Sequence, residues 1–246
     1  MKRAFLFLGG GLLLAGAAQA QATFSVGPRI GGNVSTAHFA EGTDKIASRW
    51  GFEAGVAGAL RVGHVAVQPA VLFAQRGYTR TPAFYDSGFG GLTQTSVRLN
   101  YVTIPLQLAY TQHRDGQGLQ VAAGPYVSFL VGGNTVDDYL FPFAGARQQQ
   151  NTVAAADVHT VDISSSSFKE PDYTFYSRRL DVGAQAGLGY RLGGALLQVS
   201  YSQGLRRVNA AEQYAIDGGE PYDVASPNYR TRSVQASLSY LLGPRS

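Results

Sequence analysis

Apolar and polar residues alternate with a period of two in eight separate stretches of the sequence. In the last stretch, residues 234–242, Val234, Leu238 and Tyr240 share one phase, and Gln235 and Ser237 share the other. A period of two indicates a strand whose two faces meet different environments. The predicted strands are 23–35, 50–62, 65–76, 96–110, 119–132, 178–191, 195–205 and 234–242.

The fourth stretch changes phase partway along. Val97 and Leu99 are the apolar positions near its start, whereas Val102 and Ile104, on the opposite phase, are the apolar positions towards its end. One extra residue would bring the two halves onto the same face of a strand. We therefore predict a β-bulge near Tyr101.

The connections between these strands alternate in length. Short turns are expected at 63–64, 111–118 and 192–194, and long loops at 36–49, 77–95, 133–177 and 206–230. Outer-membrane barrels combine short periplasmic turns with long extracellular loops, and an even strand number leaves both termini in the periplasm. The 133–177 loop is longer than a simple connection between two strands needs to be. Its aromatic residues are expected either to cap the barrel mouth or to bind a partner.

The N-terminus has the features of an export signal. A basic start, Met1 to Arg3, precedes an apolar run from Ala4 to Ala17, and Ala18-Gln19-Ala20 supplies a small-residue cleavage site. A membrane anchor is the less favoured alternative, because the run is shorter than the ~20 residues that a spanning helix needs. We expect a signal peptide at 1–20 and one domain at 21–246.

These features predict an all-β fold, an eight-stranded antiparallel up-and-down transmembrane β-barrel in the outer membrane. A sheet in hydrocarbon must close, because edge strands would leave backbone groups without hydrogen bonds. Charge decides which face points inward, since a charged residue facing lipid at the midplane costs roughly 2–4 kcal/mol.

Composition narrows the chemistry further. The chain has no cysteine, which excludes disulfides, thiolate metal sites and cysteine nucleophiles. It carries 20 basic and 16 acidic residues, and two of the basic residues, Lys2 and Arg3, belong to the predicted signal peptide. The mature chain is therefore nearly neutral, and a nucleic-acid partner is not expected.

Charged residues on the inward phase form one candidate site. An eight-stranded barrel has an interior that side chains fill. We predict an internal ion-pair network that stabilises the barrel, and a proton or solute path is the functional alternative. Its predicted members are Arg29, Glu53, Arg61, Asp181 and Arg191.

Arginines gather where the strands meet the long loops and form a second candidate site. The planar guanidinium suits bidentate contacts with phosphate. We expect lipopolysaccharide phosphates to be bound by Arg178, Arg179, Arg206 and Arg207. The alternative is that these are ordinary interfacial charges.

Catalytic chemistry is not indicated by the sequence. Of the four histidines, His64 and His113 fall in short turns, and His38 and His159 fall in long loops. The serine run at 164–167 lacks the spacing of a nucleophile elbow. We expect no catalysis, and no metal or organic cofactor is indicated.

An ordered set of short motifs carries a family resemblance. The motifs are Gly27–Ser35, Gln68–Gly77, Leu99–Leu106 with the sequence LNYVTIPL, Ala123–Tyr126, Leu180–Gly183 and Tyr201–Leu205. Together they resemble the PorT-like outer-membrane beta-barrel family of Bacteroidota. The resemblance implies an eight-stranded outer-membrane barrel, in a family whose namesake is associated with type IX secretion and gliding.

The function expected from these observations is structural, surface-interacting or secretion-accessory, without catalysis. Outer-membrane lipid and lipopolysaccharide are the expected partners, together with a protein at the extracellular loops. A narrow porin for small solutes is the first alternative, and a lipid A-modifying enzyme is the second.

Overall fold

The computed structural model describes residues 22–39, 45–81, 92–141, 145–163, 174–216, 222–224 and 229–243. The predicted signal peptide at 1–20 lies outside these ranges, as does the serine run at 164–167. Within the described ranges, no helix is long and apolar enough to cross a membrane.

The described chain is built from strands joined by turns and loops. In chain order they are β1 (Thr23–Phe39), β2 (Lys45–Val62), β3 (Val65–Thr81), β4 (Leu92–Thr111), β5 (Gly118–Phe141), β6 (Gly145–Ala155), β7 (Val158–Ile163), β8 (Thr174–Ser177), β9 (Leu180–Leu192), β10 (Ala195–Gly204), β11 (Ala211–Ile216), β12 (Tyr222–Val224) and β13 (Tyr229–Tyr240).

Eight of these strands close into a ring. The order is β1-β2-β3-β4-β5-β9-β10-β13, each strand antiparallel to the next, and β13 pairs back onto β1 with Val34 opposite Val234. The predicted eight-stranded antiparallel barrel is therefore confirmed. Several strands are longer than predicted. For example, β3 continues to Thr81 and β5 continues to Phe141.

The two ends of the barrel differ. One end carries the turns at 63–64, 112–117 and 193–194, and we call it the short-turn end. At the opposite, long-loop end, β6 pairs with the outer part of β5, and β8 pairs with β6. A separate three-stranded sheet of β12, β11 and β7 also lies in the long loops. The sequence analysis assigned these residues to the long loops, where the stretch from Val158 to Ile163 alternates only weakly.

Outward-facing side chains form an apolar belt around the ring. Ile30, Leu108, Leu188 and Leu238 are between 47% and 64% exposed although they are aliphatic, whereas the polar residues between them are buried. This is the reverse of a water-soluble barrel, and it matches a hydrocarbon surrounding. The assignment of polar residues to the inside and apolar residues to the outside is confirmed.

The predicted phase change in β4 is corrected by the structure. The register between β4 and β5 does shift at Asn100 and Tyr101, but the extra residue is Val131 in β5. In β4 one phase continues throughout, and Val97, Leu99 and Tyr101 all point into the barrel with at most 1% exposure. The apolar residues at the start of β4 therefore face the interior. At the long-loop end, the interior is apolar rather than polar.

Candidate functional site

The first buried ion pair inside the barrel joins β1 and β2. Arg29 and Glu53 point inward from adjacent strands and are 5% and 3% exposed. The Nε and Nη2 atoms of Arg29 each lie 3.0 Å from Oε1 of Glu53. Hydrogen bonds from two guanidinium N–H groups offset much of the free-energy cost of burying a carboxylate. The structure thus brings these two predicted network members into direct contact.

A second buried pair joins β3 to β9 across the interior. Asp181 is fully buried, and its Oδ2 accepts hydrogen bonds from Thr231 Oγ1 at 3.0 Å and from the Tyr126 hydroxyl at 3.3 Å. Nη1 of Arg76 lies 3.5 Å from the same oxygen. The Arg76 guanidinium also sits over the rings of Tyr126, 5.1 Å from the centroid, and Tyr101, 5.9 Å from the centroid. This carboxylate is therefore held by a cation and two hydroxyl groups.

Arg76 is the functional residue that sequence reasoning placed wrongly. The predicted third strand ends at Arg76, next to a long loop, and the predicted interior network therefore does not include Arg76. The strand continues to Thr81 and carries Arg76 into the interior, where it is 4% exposed. One signal was available, because Arg76 shares the even phase of the strand with the polar residue Gln68.

The predicted network members Arg61 and Arg191 lie at the short-turn end. Arg61 contacts the backbone carbonyl of Asp115 through Nη1, and its Nη2 lies 3.1 Å from Thr23 Oγ1. Arg191 donates from Nε to the carbonyl of Gly193 at 3.2 Å. The five predicted residues thus divide into the Arg29–Glu53 pair, an Asp181 cluster and two arginines beside the short turns.

Amide and hydroxyl side chains fill the interior between the charged clusters. Gln198 donates to Gln107 at 3.1 Å, and Ser202 and Ser233 share a hydrogen bond of 2.7 Å. A cavity among the polar side chains of this zone, beside Arg29, has a volume of about 10 Å³. That volume holds at most one water molecule. Between the charged clusters, the described part of the barrel interior is therefore packed rather than open.

The long-loop end is closed by apolar side chains, which we call the plug. Its members are Ala37, Tyr78, Val97, Leu99, Tyr101, Leu130, Val153, Val208 and Tyr229. Val208 enters from the segment after β10, where its carbonyl accepts from the Arg178 amide at 2.7 Å and from Ser177 Oγ at 3.0 Å. Val153 and Ser177 belong to the 133–177 loop, so the described part of this loop helps to close the mouth. The aromatic side chains proposed for capping or binding lie outside the described residues: Tyr139, Phe141, Phe143, Phe168, Tyr173 and Phe175.

The short-turn end is crossed by the turn between β4 and β5. The Gln117 side chain accepts from the Gly193 amide at 2.7 Å and donates to the Gly193 carbonyl at 3.3 Å. On the opposite side, the contact of Arg61 with Asp115 ties the same turn to β2. The turn thus spans the opening between two distant parts of the ring.

The four arginines predicted to meet phosphate lie together at the long-loop end, on the segments that flank β9 and follow β10. Arg179 and Arg207 are exposed. Arg178 donates from Nε to the Asn209 carbonyl at 3.0 Å, and Nη2 of Arg206 lies 3.8 Å from Oδ1 of Asp157. Arg179 and Arg207 are therefore the better placed for an external anion.

The described histidines have positions that fit turn and surface roles. Nδ1 of His64 lies 2.9 Å from the Thr111 carbonyl, and its ring stacks on Tyr110 with centroids 5.5 Å apart. His113 and His38 are exposed, and the side chain of His159 lies outside the described residues. Among described residues, no group of three histidine or acidic side chains is arranged to hold a metal ion.

The chain is similar to solved structures and to a known protein family. Solved structures similar to this chain include Neisserial surface protein A from Neisseria, 14% identical with a TM-score of 0.36 over 89% of this chain and 97% of that one. They also include the outer membrane protein OprG from Pseudomonas aeruginosa, 9% identical with a TM-score of 0.35 over 92% of this chain and 97% of that one. No curated protein matches the sequence. The family model described as outer membrane protein beta-barrel domain matches residues 17–209, well over half of the chain. The chain therefore belongs to the outer membrane β-barrel family.

Proposed function

We propose that this protein is a closed, non-catalytic barrel that serves as a structural or surface-interaction element of the outer membrane. The observation that supports this most strongly is the packed interior. The plug, the Asp181 cluster, the paired glutamines and the turn across the short-turn end follow one another along the barrel axis. A porin needs a continuous water-filled lumen, which larger barrels provide.

Single-channel recording tests the proposal against the porin alternative. The purified full-length barrel, reconstituted in planar bilayers, is expected to give no stable conductance steps in KCl. A boiled and an unboiled sample run on SDS-PAGE provide the control for folding, because a closed barrel migrates differently before and after heating. Reproducible steps from a heat-modifiable preparation would contradict the proposal.

We further propose that the short-turn end faces the periplasm and the long-loop end faces outward, as in barrels with this asymmetry. The chain has no cysteine, so single cysteines report on sidedness without background. In intact cells, a membrane-impermeant maleimide should label Asp157→Cys, whose native side chain is 65% exposed at the long-loop end. It should label His113→Cys only after the outer membrane is permeabilised. The reverse pattern would overturn the orientation.

The proposed ligand of the outer rim is lipopolysaccharide phosphate. Beyond Arg179 and Arg207, the outward phase of the rim carries Arg98 and Arg230, which are exposed above the apolar belt. Arginine forks bind phosphate oxygens in a bidentate manner. Replacing Arg178, Arg179, Arg206 and Arg207 with glutamine is expected to lower the amount of lipid A that co-purifies with the barrel. Unchanged co-purification would favour the alternative of ordinary interfacial charges.

The surface-interaction part of the proposal is supported by the separate sheet of β7, β11 and β12, which the long loops hold outside the ring. The narrower assignment to PorT-like barrels, with a secretion-accessory role, stays a prediction, because the matching family model describes outer-membrane barrels in general. A lipid A-modifying activity is the remaining alternative, and an altered lipid A mass on overexpression would favour it.

A further inference from the structure

A cavity of about 300 Å³ lies at the short-turn end of the barrel. Two arginines from opposite parts of the ring line it, Arg61 of β2 and Arg191 of β9. The turn between β4 and β5 contributes Asp115, and the chain that follows β13 contributes an apolar wall that includes Leu241, which faces inward. This cavity is about thirty times larger than the one in the polar interior and lies apart from the ion pairs described above.

Arg61 is fixed in place by the turn that crosses the opening. Its guanidinium packs directly on Gly116, where a Cβ would overlap Nη1 and lie 2.6 Å from Cζ. Gly116 also has a φ of 79°, which glycine adopts without strain. With the Asp115 carbonyl and Thr23 Oγ1 as hydrogen-bond partners, the buried guanidinium has one defined position.

Arg191 has donors that the described residues do not use. Its Nε donates to the Gly193 carbonyl, and within the described ranges its terminal amino groups have no ion-pair partner. The carboxylate of Asp115 accepts a hydrogen bond from the backbone N–H of Gln117 at 3.0 Å and so stabilises its own turn. Among the described residues, two cations thus share the cavity with one carboxylate, which leaves an excess of positive charge.

We propose that this cavity binds the terminal carboxylate of a peptide. A carboxylate suits the planar donor fork of Arg191, and the wall at Leu241 offers apolar contact for the adjoining side chain. A phosphate alone would leave that wall unused. In the proposed orientation, the cavity opens to the periplasm. The ligand would enter from there, either as a free peptide or as the C-terminus of a protein.

Fluorescence anisotropy with the full-length barrel in detergent micelles tests the proposal. The probe is fluorescein-labelled Ala-Ala-Ala with a free carboxylate, compared with the same peptide as its C-terminal amide. Loss of a charge-assisted bidentate contact should weaken binding by about tenfold or more, for the amide and for Arg191→Gln alike. Gly116→Ala should weaken it in the same direction, because the added methyl group displaces Arg61.

Arg114→Gln is the matched control, because Arg114 is an exposed arginine of the same turn that does not line the cavity. It should bind the probe like the wild type, and all variants should keep their heat-modifiable migration. Equal affinity for acid and amide, or unchanged binding by Arg191→Gln, would overturn the proposal. So would stronger competition by glycerol phosphate than by acetate, since that assigns the cavity to a phosphate. If the tripeptide binds only as a free peptide, the natural ligand is a free peptide. If it binds equally well at the C-terminus of a carrier protein, the natural ligand is a protein partner. Both results support the carboxylate site.

Discussion

Removing Arg76 should destabilise the barrel strongly, because it leaves Asp181 as a buried charge without its cation. Arg76 is 4% exposed and Asp181 is fully buried. Arg76→Met keeps an unbranched apolar side chain in place, so the change concerns charge more than volume.

The magnitude follows from the contacts that are lost and those that stay. Breaking a buried ion pair by deleting one partner costs roughly 3–5 kcal/mol. Loss of the guanidinium from the face of Tyr126, 5.1 Å away, adds up to about 2 kcal/mol. Thr231 and Tyr126 continue to donate to the carboxylate and limit the loss. We expect the free energy of unfolding to fall by about 3–5 kcal/mol.

Urea unfolding in lipid vesicles measures this change. The chain has a single tryptophan, Trp50, which is 81% exposed on the outside of β2 and should report the transfer from lipid to water. Arg98→Met removes an exposed arginine from the outside of β4 and serves as the control, with an expected loss below about 1 kcal/mol.

A double variant separates the ion pair from simple packing. Arg76→Met combined with Asp181→Leu removes both charges, and replacing a buried pair with apolar residues is often neutral. The double variant should therefore recover most of the stability that Arg76→Met loses. A loss below about 1 kcal/mol in the single variant, or a double variant as unstable as the single, would refute the reasoning.

Three further changes probe other parts of the barrel. Leu238→Arg places a charge near the middle of the apolar belt and should cost roughly 2–4 kcal/mol in the same urea assay, whereas no cost would mean that this face does not meet lipid. Val208→Asn puts an amide in the plug, where Val208 has no exposed surface, and should cost about 1–3 kcal/mol, with protease protection of the loops showing whether the mouth loosens. Gly27→Ala adds a Cβ that would overlap the Tyr240 carbonyl, so the heat-modifiable band on SDS-PAGE should weaken, and an unchanged band would show that this seam can adjust.

The barrel itself could be predicted because each ring strand separates lipid from the interior. Where the interior is polar, as around Gln198 and Gln235, alternation identifies the strand and also its buried face. The same physical rule failed at Val97 and Leu99, since the plug makes the inward face of β4 apolar there while the polar residue Arg98 lies on the outward face. Period two then still indicates a strand, but it no longer indicates which side is inside.

The partners of the buried charges could not be predicted from the same pattern. Alternation placed Arg29, Glu53 and Asp181 on the inside, but pairing depends on how far each strand is staggered against the next. Glu53 lies opposite Gly31, two residues from Arg29, whereas Asp181 reaches Arg76 across the lumen from a strand that is not adjacent to β3. The true end of β3 at Thr81 would have identified Arg76 as an interior residue.

The β1–β13 seam has a consequence for how the protein is made. Arg29 pairs with Ser239, so the first ring strand waits for the last one to be synthesised before the ring can close. Contacts this distant in sequence are slow to form, and until they form both strands expose unpaired backbone. The unpaired edges of β1 and β13 can therefore pair with other chains until the last strand arrives, and the ring cannot close before then.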